Sequence, residues 1–264
     1  MTSVLENLIR RDRWIVTTAL ILVSVLAWAW LLSGAGMGMN AFDMTIHSRM
    51  SMDMMDTPAW DFDYVVLMFF MWWIMMIAMM LPSATPTILL AAAINRRSSD
   101  SIPPFGPSSL FIAGYLSAWA VFSAIAVAVQ WWMQKNGLIN NMLVGQSSVI
   151  NGLLLLIAGV WQFTPWKYAC LSHCRSPVEF LSKPRRDRLT GALQTGLSHG
   201  SYCLGCCWFL MVLLFVGGVM NLFWIIGLSI YIWVEKILPG GHTISRLMGG
   251  FLALWGLAVL TGLI

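Results

Sequence analysis

The sequence predicts an all-α fold: a polytopic bundle of about seven transmembrane helices with a cytoplasmic N-terminus. Composition is the first observation behind this. Of 264 residues, 59% are hydrophobic and 10% charged, with a mean hydropathy of +0.77, whereas a soluble domain carries about 25% charged residues. The second observation is segmentation. An apolar run of about 18 residues or more can cross a hydrocarbon core of about 30 Å as a helix. Seven such runs occur, near 14–34, 62–82, 108–132, 148–166, 196–217, 219–237 and 244–262. The third is charge asymmetry, because loops rich in Lys and Arg stay cytoplasmic. With the N-terminus inside, thirteen of the fifteen Lys and Arg fall on the inner side, leaving Arg49 and Lys135 outside. The C-terminus is then expected outside.

Taken in order, the first run follows the basic RRDR and precedes AGMGMNA, and it reads as an anchor helix rather than a cleaved signal. An outer loop follows, over about 36–61. The second run ends in LPSATP, where Pro82 and Pro86 are expected to break or kink the helix. Between the fifth and sixth runs only Gly217, Gly218 and Asn221 mark a turn, and unless these two spans form a tight hairpin the orientation of the last two changes. Residues 1–61 form the anchor and outer loop of a single transmembrane domain, and 62–264 form its core. The net charge of +4 reflects the inner loops and gives no reason to expect a nucleic-acid partner.

Sulfur is distributed unevenly. Residues 54–80 hold eight of the nineteen methionines. The outer loop carries Met37, Met39, Met44, Met50, Met52, Met54 and Met55, together with His47 and the acidic Asp43, Asp53, Asp56 and Asp61. Thioethers bind Cu(I) well and hard ions poorly, and carboxylates raise the local cation concentration. A short aqueous loop has no core for these side chains to fill, so a metal-gathering role competes with packing at the membrane interface.

In the second run Met68, Met71, Met75 and Met79 are spaced by three, four and four, which places them on one helix face. Met76 and Met80 form a neighbouring stripe that begins at Trp72. Thioethers about 5–6 Å apart suit a soft ion passing from ligand to ligand. Methionine is also ordinary helix filler in membranes.

All five cysteines fall in two clusters: Cys170, His173 and Cys174 in WKYACLSHCRSP, and His199, Cys203, Cys206 and Cys207 in GLSHGSYCLGCCW. On a helix His199, Cys203, Cys207 and Met211 make a stripe about 18 Å long, with Cys206 beside Cys203. Gly191, Gly196, Gly200 and Gly205 would let a neighbouring helix approach closely. C-x-x-H-C with H-x-x-x-C-x-x-C-C at one membrane face points to Cu(I), with Zn(II) as the other candidate. Buried small hydrophobes and thiol–disulfide exchange are the competing readings, and palmitoylation a weaker one.

Glu235 and Lys236 stand at the inner end of the sixth run. Lys236 is expected to snorkel to the interface, and Glu235 to pair with Arg246 or Lys236. Trp60, Trp131, Trp132, Trp161 and Trp166 read as an interfacial belt, and Trp72 and Trp73 as deeper residues that could pack on methionine sulfur. Gln162, Thr164 and Asn221 could bridge helices. No nucleophile elbow, phosphate loop, dinucleotide fingerprint or carboxylate pair occurs, so no catalytic residue is assigned.

MWWIMMIAMMLPSATP, CLSHCRSP and CLGCCW, followed by MNLFWI and VEKILPGG, resemble the bacterial family of predicted metal-binding integral membrane proteins catalogued as domain of unknown function 2182. The resemblance runs from about Trp60 to Gly256. It implies an inner-membrane bacterial protein whose metal ligands lie among Cys170, His173, Cys174, His199, Cys203, Cys206 and Cys207. Residues and resemblance together predict a multi-pass protein that binds a soft metal, Cu(I) foremost. It would take the ion at the outer methionines and hold it at the inner Cys/His clusters. The expected partners are the lipid bilayer, the metal ion and a metallochaperone or membrane metalloenzyme. The alternatives are a membrane thiol–disulfide oxidoreductase, through Cys203, Cys206 and Cys207, and an assembly factor for a membrane metalloenzyme.

Overall fold

A computed structural model of the chain describes residues 2–47, 59–97, 105–141, 143–176, 181 and 188–263. Among the described residues every regular element is a helix, and the one β feature is an isolated antiparallel bridge between Ile139 and Gly145. In chain order the helices are α1 (Thr2–Leu32), α2 (Ala41–His47), α3 (Phe62–Arg97), α4 (Phe105–Lys135), α5 (Ser148–Trp161), α6 (Pro165–Arg175), α7 (Arg188–Val212), α8 (Leu214–Gly217), α9 (Leu222–Ile237) and α10 (Gly241–Leu260).

Among the described residues five stretches are long and apolar enough to cross a membrane: Trp14–Leu32, Phe62–Ile94, Gly106–Lys135, Leu189–Gly217 and Gly241–Leu260. The pair α5 and α6, bent by 64° at their junction, would make a sixth. The expected seven are therefore five or six by this measure. The run at 219–237 yields only the 16 residues of α9, about 24 Å of helix, which is short of a hydrocarbon core of about 30 Å. The run at 148–166 is interrupted because Thr164 caps a new helix. Its side chain accepts from the Lys167 N–H at 3.3 Å, and Pro165 takes the first helical position, where a missing N–H costs nothing.

The expected break at LPSATP does not occur. α3 runs through Pro82 and Pro86 for 36 residues. Pro82 has no N–H to give the Ala78 carbonyl, and Trp28 of α1 supplies the replacement, its Nε1 donating to Ala78 O at 3.1 Å. Ser83 Oγ donates to Met80 O at 2.8 Å and Thr85 Oγ1 to Leu81 O at 3.0 Å. The carbonyls around the proline are thus satisfied inside the protein, the condition for an irregular helix in an apolar setting.

The turn marked by Gly217, Gly218 and Asn221 is present. α8 ends at Gly218, whose φ of +96° favours glycine. Asn221 then caps α9, its side chain accepting from the Phe223 N–H at 3.0 Å. The segment after α1 is less open than the sequence suggests, because α2 folds back onto the bundle. Thr45 Oγ1 accepts from the Leu222 N–H at 3.0 Å, Met44 is buried, and Met37 and Met39 pack against the core. These three methionines do have a core to fill.

The closest helix approach that bears on the site is between α4 and α7. A methyl group on Gly200 would lie 2.7 Å from Ala118 Cβ and 2.9 Å from Tyr115 O, and Gly196 lies directly on the Phe111 backbone. Small residues let the backbones meet, and the meeting brings Tyr115 of α4 onto the cysteine face of α7.

Candidate metal centre

α7 carries the stripe that the spacing predicts. His199, Cys203, Cys206, Cys207 and Met211 are each at most 2% exposed. The Sγ atoms of Cys206 and Cys207 both donate to the Cys203 carbonyl at 3.0 Å, as helix spacing of three and four allows. α6 brings the other cluster alongside. Cys174 of α6 and Cys207 are neighbours of Cys203 and Cys206. Cys170 packs where α7 has no side chain, since a methyl group on Gly205 would stand 2.9 Å from its Sγ. All five cysteines are free thiols.

The histidines are held by aromatic rings. His199 stacks between Phe111 and Tyr115, with ring centroids 6.0 and 5.7 Å away, and His173 stacks on Tyr202 at 3.8 Å. The Nδ1 atom of His199 is buried and has no hydrogen-bond partner. Orphaned nitrogens are rare in protein interiors, and this one stands in a group that includes Cys203 and Cys206.

Three residues with no metal motif complete the surroundings of Cys203. Tyr115 Oη lies 3.3 Å from Cys203 Sγ and 3.4 Å from Met80 O. Lys236 Nζ donates to Cys203 Sγ at 3.0 Å and to Ser83 Oγ at 3.1 Å. The expectation that Lys236 snorkels is therefore corrected: it is buried and turned onto a thiol. Glu235 likewise pairs with neither Arg246 nor Lys236. Its Oε1 is 2.5 Å from Lys167 Nζ, and both side chains are at most 1% exposed. The presence of two ionisable residues at the end of one apolar run was visible in the sequence. The identity of their partners, on α3, α6 and α7, was not.

The methionine stripe is interior along its whole length. Met68, Met71, Met75, Met76, Met79 and Met80 are each at most 2% exposed. At its start Gln130 Nε2 donates to Met68 Sδ at 3.3 Å while Gln130 Oε1 accepts from Trp72 Nε1 at 2.8 Å. Trp72 thus reaches methionine sulfur through Gln130. At its other end Tyr115 Oη links the Met80 backbone carbonyl to the Cys203 thiol. Met50, Met52, Met54 and Met55 lie outside the described residues, and of His47 only the backbone at the end of α2 is described.

Among the described residues no three His, Cys, Asp or Glu side chains already stand as a metal-holding set. The thiols are gathered but turned to one another and to backbone carbonyls. Their chemistry still suits one class of ion. Buried thiols, an imidazole nitrogen without a partner and neighbouring thioethers favour a soft cation over a hard one.

Fold and site together define an all-helical protein with five to six apolar helices around a buried, sulfur-rich centre. The chain belongs to the PpoB2 copper chaperone family, whose model matches residues 69–259. The matched stretch begins in the methionine stripe, includes both cysteine clusters and ends in α10. This supports a copper-related family, in line with the soft metal expected from the sulfur ligands, and does not carry the narrower family name of the resemblance. The methionines of residues 37–55 precede the match. No curated protein and no solved structure matches the chain.

Proposed function

We propose that the protein is a membrane-embedded copper chaperone that binds Cu(I) at the junction of α6 and α7 and passes it to a copper-requiring partner. The observation that carries this reading is the convergence of Cys174, Cys203, Cys206 and Cys207 beside the unpartnered Nδ1 of His199. Thiolates outrank thioethers as Cu(I) ligands and hold the ion best where water is excluded. Cys170, His173 and Met211 flank the cluster and serve as alternate ligands during transfer.

The methionine face supplies the approach. Met37, Met39, Met44, Met50, Met52, Met54, Met55 and His47 gather the ion on the outer side, and Met68, Met71, Met75 and Met79 relay it inward. Junctions at Gln130–Met68 and Tyr115–Cys203 mark the two ends of that relay. The orientation follows from the cytoplasmic bias of Lys and Arg, which places the thiols at the inner face of a bacterial inner membrane. A reducing compartment keeps them free, and this favours metal handling over thiol–disulfide turnover. The role is non-catalytic.

The test is metal analysis of the detergent-purified protein, loaded with Cu(I) under reducing conditions, beside Cys203→Ser/Cys207→Ser. The reading predicts near-stoichiometric copper in the wild type and its loss in the variant. Equal copper in both would overturn it.

A further inference from the structure

α6 is joined to α5 at an angle of 64°, across Gln162–Thr164. It carries Cys170 and Cys174, whereas the other three thiols ride on α7. Three attachments fix its position. Next to the joint, Ser245 Oγ of α10 donates to Gln162 O at 3.2 Å and to Gln162 Oε1 at 3.0 Å. At the far end, Arg175 Nη2 donates to Leu238 O at 2.6 Å. Between them Lys167 Nζ is bound to Glu235 Oε1 of α9 at 2.5 Å and also donates to Gln162 Oε1. Tyr231 Oη donates to Glu235 Oε1 at 3.0 Å.

The middle attachment differs in kind from the others. A fully buried ion pair adds little net stability, but removing one partner leaves an uncompensated charge in an apolar interior. Its rupture therefore requires movement. Lys167 has a long stem that can carry its charge to an interface once the helix shifts. The next residue of α9, Lys236, contacts Cys203 and Ser83 on the opposite side. One turn of α9 thus binds the helix carrying Cys174 through one residue and the helix carrying Cys203 through the next.

We propose that α6 is a jointed arm and that Lys167 and Glu235 are its latch: closed, they hold Cys174 against Cys203 and Cys206, and released, they open the cluster for loading and handover. Both are positioning residues, and neither touches the metal. The proposal rests on the copper-binding reading above, and its test is made without metal so that the two can fail separately. Gln162 Nε2 and Glu235 Oε2, both buried and without hydrogen-bond partners, fit an attachment built to come apart.

Diamide oxidises two adjacent thiols to a disulfide and is itself reduced to the hydrazine, so the rate of linking Cys174 to Cys203 or Cys206 reports their closeness. The full-length protein in detergent is treated with diamide, quenched, digested and mapped by mass spectrometry. Glu235→Gln is expected to slow the link about tenfold or more, a conservative reading of one buried charge left unpaired. Lys167→Met/Glu235→Gln, which removes both charges and so guards against misfolding of the single variant, is expected to slow it as well. The exchanged pair Lys167→Glu/Glu235→Lys should restore the wild-type rate, which a general packing role would not. Wild-type linking rates in the double variant, with helicity retained by circular dichroism, would overturn the proposal. Failure of the wild type to bind Cu(I) would instead overturn the copper reading and leave the linking result standing.

Discussion

Trp28 Nε1 donates to the carbonyl of Ala78 at 3.1 Å, the carbonyl that Pro82 leaves without a helical partner. A contact between α1 and α3 thus replaces the backbone hydrogen bond that Pro82 removes and helps α3 continue as one helix beyond the methionine stripe. Trp28→Phe should cost about 1–3 kcal/mol, the range for a buried acceptor left unsatisfied. Pro82→Ala restores the backbone donor, so Trp28→Phe should cost markedly less in that background. A double-mutant cycle on detergent melting checks this, and additive costs would contradict it.

Gln130 bridges the Met68 end of the stripe, bonded at once to Trp72 and Met68. Gln130→Leu strands the buried Trp72 N–H and should lower stability by about 1–3 kcal/mol. Adding Trp72→Phe removes the stranded donor and should recover part of that loss. Thermal unfolding followed by tryptophan fluorescence from the remaining indoles reads both.

The approach of α4 to α7 places Tyr115 on Cys203. Gly200→Val would drive a side chain into Ala118 and the Tyr115 backbone, and should cost at least about 1–3 kcal/mol through overpacking while lowering copper content. Gly106→Ala meets only Leu189 at 3.6 Å, an ordinary contact, and should be neutral in both respects.

If the stripe relays copper, its thioethers matter as ligands and not only as filler. Met71→Leu, Met75→Leu and Met79→Leu conserve volume and should each cost less than about 1.5 kcal/mol. Combined, they should slow loading of the thiol cluster from externally supplied Cu(I) in proteoliposomes, with the final copper content unchanged. Loading at the wild-type rate would reduce the stripe to packing.

Much of this architecture was legible in the residues. Apolar runs located every long helix, and the spacing of His199, Cys203, Cys207 and Met211 put them on one buried face of α7. The break between α5 and α6 was written as Thr164–Pro165, a capping residue followed by a helix-starting proline, but it lies inside an apolar run that reads as one span. Persistence of α3 through Pro82 could not be read locally, because the compensating donor is 50 residues away. Lys236 and Glu235 were misplaced for the same reason. Their ionisable ends announce themselves, whereas a thiol on α7 and an ammonium on α6 become their neighbours only in the packed bundle.

Copper held by the gathered cysteines would have a sulfur-rich ligand shell. Copper K-edge X-ray absorption of the Cu(I)-loaded, full-length protein tests it most directly, with Cys203→Ser/Cys207→Ser measured alongside. The account predicts a ligand shell dominated by sulfur in the wild type and its collapse in the variant. A shell of nitrogen and oxygen, or the same sulfur shell in both proteins, would contradict it.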